Sequence, residues 1–383
     1  MKNKKKTLSI LMVGGSIRDL LLGKTPNDFD FLVASGSVED FKKEFPYAKP
    51  VGKSYEIFFQ KGFEFSFPRI TGQTVEETID LDLSARDFTI NGFALDEDGE
   101  LYAHPNGLED LYSKTLRPAF AETFKSDPLR VFRAATFLAR FPDFTAHPDL
   151  ITSMREAFEK GWLTNIAPDR IGVELIKALK SDKPGNFVRT LQAANCFEPW
   201  FTEFSGSDGI TAGPPKFHDK SVLGHISEIM DKVAGNPITC WMATCHDLGK
   251  ILTPTELLPA HHGHDIKGIA LASKLSKRLL LPNKYIKAGE LAAELHMKAG
   301  NYKELRPATK VDLLMKLHKN DLVKNMRDLC RADKNEDTMA TAMTDLAKIL
   351  KVSLPEQDRN LGKESGKKLR SLRAQKISSK LTT

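Results

Sequence analysis

The hydrophobic period of this chain changes once, and that change restricts its fold more than any other feature. Before about Pro128 the apolar residues alternate or form short runs. Residues 7–13 and 29–34 predict strands, and 17–22 predict a short helix stopped by Gly23. "YEIFFQ" and "FEFSFP" flank Lys61-Gly62, the pattern of a hairpin with alternating faces. "FTINGFAL" and "ELYAHP" add strand character. From Pro128 onward, "DPLRVFRAATFLARF", "HPDLITSMREAFEKG" and "PDRIGVELIKALKS" carry apolar residues at helical spacing, and strand-like runs almost vanish. The Gly/Pro-rich "GSDGITAGPPKFHD" at 206–219 marks a boundary. The expected class is α+β. A mixed-sheet head over 1–120 is followed by a helical neck and body over 121–205. A second helical domain spans 206–350, and a basic tail 351–383. No internal repeat is visible.

Composition sets outer limits. With 383 residues, 41% hydrophobic and 28% charged, the chain can bury real cores in several domains. No apolar run reaches the roughly 18–20 residues of a membrane span, so no membrane partner is expected. The start "MKNKKKTLSILMV" is basic, then apolar, as in secretion signals, but its apolar run is short and leads straight into glycines. The four cysteines contain no C-x-x-C pair, which fits a reduced, cytoplasmic protein. The net charge of +6 is local: Lys363 to Thr383 contain seven Lys or Arg and one Glu, so the rest is near neutral. Such a tail either contacts nucleic acid phosphates or is simply a solvated end.

One 24-residue stretch carries most of the chemistry: "MVGGSIRDLLLGKTPNDFDFLVAS", Met12 to Ser35. On a strand, Asp28 and Asp30 point to one face. Two adjacent carboxylates repel unless a cation lies between them, and Mg²⁺ is the oxygen-preferring candidate. Glu64 on the neighbouring hairpin can supply a third carboxylate, completing a two-metal site for in-line phosphoryl transfer. Gly14, Gly15 and Ser16 precede a helix, whose first N–H groups suit phosphate. A solvated turn and an ordinary tight turn would account for either motif taken singly. Together they favour a nucleoside triphosphate site. Neither a G-x-G-x-x-G nor a G-x-x-x-x-G-K-[ST] motif is present, so a dinucleotide fold and a P-loop are not indicated.

"GGSIRDLLLGKTPNDFDF" resembles the signature of the class II tRNA nucleotidyltransferase and bacterial poly(A) polymerase superfamily. Further blocks follow in family order. "ARDFTINGFALDEDGELYAHPNGLEDL" and "SDPLRVFRAATFLARF" are similar to its second and third blocks. "PDRIGVEL" is similar to the neck motif, and "ATCHDLGKILTPTELLPAHHGHDIKG" resembles the HD-type domain of the bacterial CCA-adding subgroup. The match spans roughly residues 8–340.

The resemblance implies roles. Asp28 and Asp30 would hold Mg²⁺, with Glu64 as third carboxylate, so that the tRNA 3′-hydroxyl attacks an α-phosphate. Gly14, Gly15, Ser16 and Arg18 would cradle the triphosphate; Arg86 and Asp87 would lie near ribose and phosphates, buttressed by Asn91. Arg133 and Arg170 are also assigned to nucleotide binding. Asp127 and Arg130 would be a protein template. Cytosine and adenine both show an amino donor beside a ring-nitrogen acceptor, which a carboxylate and a guanidinium match, and uracil and guanine fail both contacts. Three residues apart on a helix, the pair would share a face. The same "DPLR" also reads as a helix N-cap with Pro at N1.

A second set, His225, His246, Asp247 and Asp333, has the order H…HD…D and suits a transition metal such as Ni²⁺ or Mn²⁺, with His261, His262, His264 and His296 as further ligands. In the resembling subgroup this domain carries phosphodiesterase or phosphatase activity, and His296-Met297 stands where relatives often have His-Asp.

Three departures concern the first site. Ala85 replaces an arginine, Ser126 replaces a glutamate, and the segment Arg69–Arg86 is short where CCA-adding relatives have a longer flexible loop. C addition is therefore better supported than A addition. The expected function is template-independent addition of C and A to the tRNA 3′ end from CTP and ATP. Alternatives are a CC-only enzyme, a poly(A) polymerase, an HD-type phosphohydrolase and a non-catalytic RNA-binding protein. The sequence leaves the oligomeric state open.

Overall fold

The computed structural model describes residues 8–26, 28–51, 57–216 and 219–378. They form two compact units: the described residues up to Ala134 with Asp143–Trp162, and Ala135–Pro142 with the described residues from Leu163 on. The second unit holds the helical body from Leu163 on together with the second helical domain, whereas 121–134 and 143–162 belong to the first, so the 206–219 stretch does not separate compact units.

In the first unit the alternating stretches become strands β1 (Ser9–Val13), β2 (Phe29–Ser35), β3 (Lys49–Val51), β4 (Ile57–Gln60), β5 (Phe63–Ser66), β6 (Phe93–Leu95) and β7 (Leu101–Ala103). They join in the order β3-β4-β5-β2-β1-β6-β7. β1 is paired on both sides, with β2 and β6, so the apolar N-terminal run is a central strand. The Lys61-Gly62 turn takes positive φ at both residues (52° and 91°), the geometry that matches strand twist in a two-residue hairpin. All sheet pairs are antiparallel except β2 with β5. The early helices are α1 (Gly15–Leu21), α2 (Val38–Glu44) and α3 (Val75–Ser84). One sheet face packs Val33, Phe58 and Phe65 with Phe41 of α2. The other packs Leu11, Val13, Leu32, Ala34 and Ala94 with Ile79 and Leu83 of α3. Covering both faces explains why β1 and β2 are nearly continuous apolar runs.

Two expectations shift here. "FTINGFAL" is a strand only over Phe93–Leu95; Thr89–Asn91 form a 3₁₀ turn, because Thr89 Oγ1 donates to buried Asp110 (2.7 Å) and the backbone leaves the sheet. "TGQTVEETIDLDLS" contains α3, capped by the Thr74 side chain accepting from Glu77 N–H.

The chain continues through α4 (Gly107–Tyr112), α5 (Thr123–Ser126), α6 (Arg130–Arg140) and α7 (Pro148–Glu159). A short parallel ribbon pairs Thr115–Leu116 with Thr145–Ala146.

The second unit is helical among its described residues. Its helices are α8 (Pro168–Leu179), α9 (Gly185–Ala193), α10 (Val222–Lys232), α11 (Pro237–Cys245), α12 (His264–Arg278), α13 (Asn283–Gly300), α14 (Pro307–His318), α15 (Val323–Lys334), α16 (Ala342–Leu350) and α17 (Lys363–Ser378). All four cysteines are buried. Within the basic tail, Lys363–Ser378 form α17: Arg370 forms a two-pronged pair with Asp312, and Arg373 donates to the Ile349 carbonyl. No helix among the described residues is long and apolar enough to cross a membrane.

Candidate active site and metal centre

The parallel pairing of β2 with β5 sets Asp30 directly against Glu64. On the alternate positions Phe29 and Phe31 pair with Phe63 and Phe65, and the Phe31 and Phe65 rings stack at 5.2 Å. The aromatic residues therefore take one face of the two strands, and the carboxylates take the other. Asp28 lies one residue before β2, and it is exposed like Asp30 and Glu64. Its charge helps raise the Asp30 carboxyl above the usual range, behind the larger effect of burial and against the lowering effect of Arg86. Glu64 is raised too, by burial and then by Asp30. Such a set of mutually repelling oxygen ligands fits a hard divalent cation.

Next to the carboxylates, Gly14 holds φ at 78°, and a Cβ there would lie 2.8 Å from Arg86 Nη1. Only glycine allows both the backbone and this close approach. Gly15 opens α1, and the Ser16 hydroxyl donates to the Val13 carbonyl (3.2 Å). Arg86 is held by Asp82, one turn earlier on α3, at 2.7 and 3.1 Å.

Arg18 is buried and tied to Asp19 Oδ1 through Nε (2.9 Å) and Nη2 (2.6 Å), and its Nη1 donates to Asn91. Asn91 donates to Asp87 Oδ1 at 2.8 Å, and Arg133 grips Asp87 Oδ2 at 3.0 and 2.6 Å. One polar chain thus runs Asp19–Arg18–Asn91–Asp87–Arg133. Burial works to raise the Asp87 carboxyl, but Arg133 and Asn91 outweigh it and hold it below the usual carboxylate range.

Asp127 and Arg130 do not share a helix face. Asp127 is extended (φ −148°, ψ 97°), and α6 begins only at Arg130. Pro128 causes the break, since the residue before proline is pushed from helical to extended backbone. Asp127 Oδ1 accepts from Leu129 N–H (3.2 Å), an N-cap contact. Arg130 is buried, with Nη1 donating to Thr123 Oγ1 (2.7 Å) and Nη2 to the Ala85 carbonyl (3.1 Å). Thr123 and Asp82 support the site, and the sequence reading missed both. Asp82, near the end of α3 and four residues before Arg86, had a visible signal. Thr123 had none, because no local pattern marks the hydroxyl that Arg130, seven residues on, takes as its acceptor. Arg170 lies exposed on α8 of the second unit.

The second cluster draws six residues from five segments of its unit. His225 lies on α10, His246 and Asp247 follow α11, His264 opens α12, His296 lies on α13, and Asp333 is near the end of α15. All but Asp333 are buried to 7% exposure or less. Gly249 makes this possible: a Cβ there would sit 1.9 Å from the His264 carbonyl oxygen. His225 Nε2 stands 3.1 Å from Asp333 Oδ1 and 3.4 Å from both Asp247 Oδ2 and His246 Nε2. Lys250 reaches Asp247 Oδ2 at 2.7 Å, and with His246 it holds the carboxyl well below its usual range despite burial. An open cleft lined by Lys220, Lys232, His225 and Asp333 leads to this cluster. His261 instead joins Thr253 and the Thr211 carbonyl, and His262 is exposed. The donor set of imidazoles and carboxylates fits a divalent transition metal.

Comparisons agree with this anatomy. Three family models match in order: the poly A polymerase head domain (residues 10–117), the probable RNA and SrmB-binding site of polymerase A (143–206) and the HD domain (218–337). The chain is 33% identical over 355 residues to a multifunctional CCA protein of Xanthomonas oryzae pv. oryzae, covering 85% of each. The chain belongs to the multifunctional CCA protein family. A Tolumonas auensis member is 34% identical over 351 residues, covering 85% of this chain and 84% of the relative. A CCA-adding enzyme solved in complex with CTP shares the fold at TM-score 0.67 and 19% identity, over 97% of this chain and 88% of that one. The Thermotoga maritima CCA-adding enzyme in complex with tRNA matches at TM-score 0.65 and 18% identity, over 98% and 88%. As a member of the CCA family, this chain is a nucleotidyltransferase of the CCA-adding type.

Proposed function

We propose that this CCA-family chain adds C and then A to the 3′ end of tRNA from CTP and ATP, with Asp28, Asp30 and Glu64 as its catalytic carboxylates. The observation that carries the site assignment is the register that sets Asp30 against Glu64, two residues on from Asp28. The three carboxylates would hold Mg²⁺. When bound, Mg²⁺ supplies charge stabilisation at the reacting phosphate and eases loss of the 3′-hydroxyl proton. Gly14 and Gly15 leave room for a triphosphate beside the N–H groups of α1. Arg86, braced by Asp82, offers positive charge next to Asp30. Arg18, Asn91, Asp87 and Arg133 form the frame that fixes this face. Selection of C and A by Asp127 and Arg130 requires both side chains to exchange protein contacts for base contacts, since each is engaged with its own chain here. The domain assignment 1–120, 121–205, 206–350 and 351–383 is kept as a functional division, with the family-model limits in its support.

CC-only addition is the second reading. The helix α3 fills 75–84, so little of Arg69–Arg86 is left as a free loop. Purified protein given Mg²⁺ and tRNA lacking its 3′ end, with each NTP singly and in pairs, separates the readings. Two nucleotides from CTP and a third only with ATP supports CCA addition. Two from CTP with no third supports CC addition. No incorporation sinks both.

A further inference from the structure

The register that sets Asp30 against Glu64 continues across the sheet. Val13 of β1 pairs with Asp30, Glu64 pairs with Phe59 of β4, and Phe59 pairs with Lys49 of β3. Paired residues point to one face, so Val13, Asp30, Glu64, Phe59 and Lys49 form a single row. The alternate positions fit this face. Phe58 and Phe65, one residue along from Phe59 and Glu64, turn to the opposite side and pack with Phe41. Lys49 is exposed like the two carboxylates, and the Phe59 side of the row is open, with that residue 47% exposed. A single exposed ring is ordinary on a protein surface. Its place in this row gives it a use.

The row has a direction. Gly14 follows Val13, so the turn assigned to the triphosphate lies on the β1 side of Asp30. Phe59 and Lys49 lie on the other side, beyond Glu64. In phosphoryl transfer the attacking and leaving oxygens stand roughly in line, on opposite sides of the phosphorus. A triphosphate whose leaving end points toward α1 is therefore attacked from the side of β5 and β4. The attacking oxygen belongs to the last nucleotide of the RNA. Neighbouring strands are about 4.8 Å apart, so Phe59 lies about 10 Å along the row from Asp30, within reach of the base on that nucleotide.

The reaction adds a constraint. Each addition places a new nucleotide at the 3′ end, so the group that holds the end cannot depend on hydrogen bonds to one kind of base. Stacking on an aromatic ring tolerates any base, because every base has a π-face.

We propose that Phe59 is the stacking platform for the last base of the RNA being extended, and that Lys49 beside it pairs with the phosphate on the 5′ side of that base. The proposal rests on the nucleotide-addition reading, with Asp28, Asp30 and Glu64 at the reacting end. It gives the RNA end and the triphosphate separate halves of one sheet face, divided by the carboxylates.

The first test needs no turnover. The full-length chain is irradiated with a tRNA acceptor stem ending in 5-iodouridine, a base that crosslinks to an aromatic ring stacked on it, and the modified peptide is sequenced by mass spectrometry. The crosslink is expected on Phe59. A crosslink on another residue, or none, overturns the placement. Steady-state addition of C then separates stacking from simple packing. Phe59→Ala and Phe59→Leu should each raise the KM for tRNA about tenfold and leave the KM for CTP within about twofold, while Phe59→Tyr stays near the parent chain. A normal KM for tRNA in Phe59→Leu, or a rise in the KM for CTP instead, overturns the platform. Lys49→Gln should flatten the slope of log affinity for RNA against log salt by about 0.7, and an unchanged slope removes Lys49 from the site. A parent chain that incorporates nothing but crosslinks at Phe59 sinks nucleotide addition and upholds the RNA-end site. Incorporation without that crosslink does the reverse.

Discussion

The head carboxylates and the buried histidine cluster solve the problem of gathering ligands in opposite ways. Asp28, Asp30 and Glu64 are exposed, and two adjacent strands position them. Among the described residues, no three ligand atoms of this set come within 4.8 Å of one another, whereas the histidine cluster has two such groups. Like charges on a wet surface stay apart until a cation arrives, which suits an ion that enters and leaves with a nucleotide. Backbone carbonyls hold the His246, His264 and His296 rings in place beforehand. The proposed head site would be completed by its substrate, whereas the buried cluster is assembled by folding.

The largest expected effect tests the exposed side of that contrast. Asp28→Ala with Asp30→Ala should lower CTP incorporation about a thousand-fold or more, since metal charge stabilisation is worth several kcal/mol. Its thermal unfolding should barely move; a large loss of stability would show that the two carboxylates are structural. On the buried side, Asp247→Ala leaves the Lys250 ammonium without its carboxylate. Breaking a buried pair costs about 3–5 kcal/mol, so the urea midpoint should fall sharply. An unchanged midpoint would mean the cluster is not preassembled.

A smaller effect concerns the ion pair within the head. Because Asp87 is held below its ordinary value, its contribution is fully present above the unfolded value near 3.9 and fades as pH falls through the folded one. Arg133→Gln should cost about 1–3 kcal/mol near neutral pH and move the acid-unfolding midpoint upward. Circular dichroism across a pH series measures both. Gly14→Ala should cost about 1–2 kcal/mol for its left-handed backbone and should also raise the KM for CTP by displacing Arg86. Steady-state kinetics with unchanged KM would remove Gly14 from the phosphate cradle. The smallest effect belongs to the tail. Arg370→Ala breaks an exposed pair with Asp312 and should change stability by no more than about 1 kcal/mol, while weakening the salt dependence of tRNA binding if α17 meets phosphates.

Much of the first unit was legible because its signals are local. The Lys61-Gly62 hairpin, the glycine-led α1 and the aspartates at the start of β2 each occupy a few consecutive residues. The expected helical face for Asp127 and Arg130 was wrong for an equally local reason, since Pro128 turns Asp127 out of the helix. His264 and His296 were visible only as candidates among several histidines. Nothing in the sequence distinguished them from His261, whose ring turns away to Thr253 and the Thr211 carbonyl.

The sequence by itself determined the order of the two architectures, the family, and the side-chain types available for each chemistry, because periodicity and motif spacing are written along the chain. Only the tertiary structure decided which of those side chains meet. Glu64 reaches Asp30 through parallel strand pairing across a gap of 34 residues, and the candidate metal centre collects side chains from His225 to Asp333 on separate segments. Contacts of that kind depend on how elements pack, and packing is settled by burial of whole faces rather than by any short run of residues.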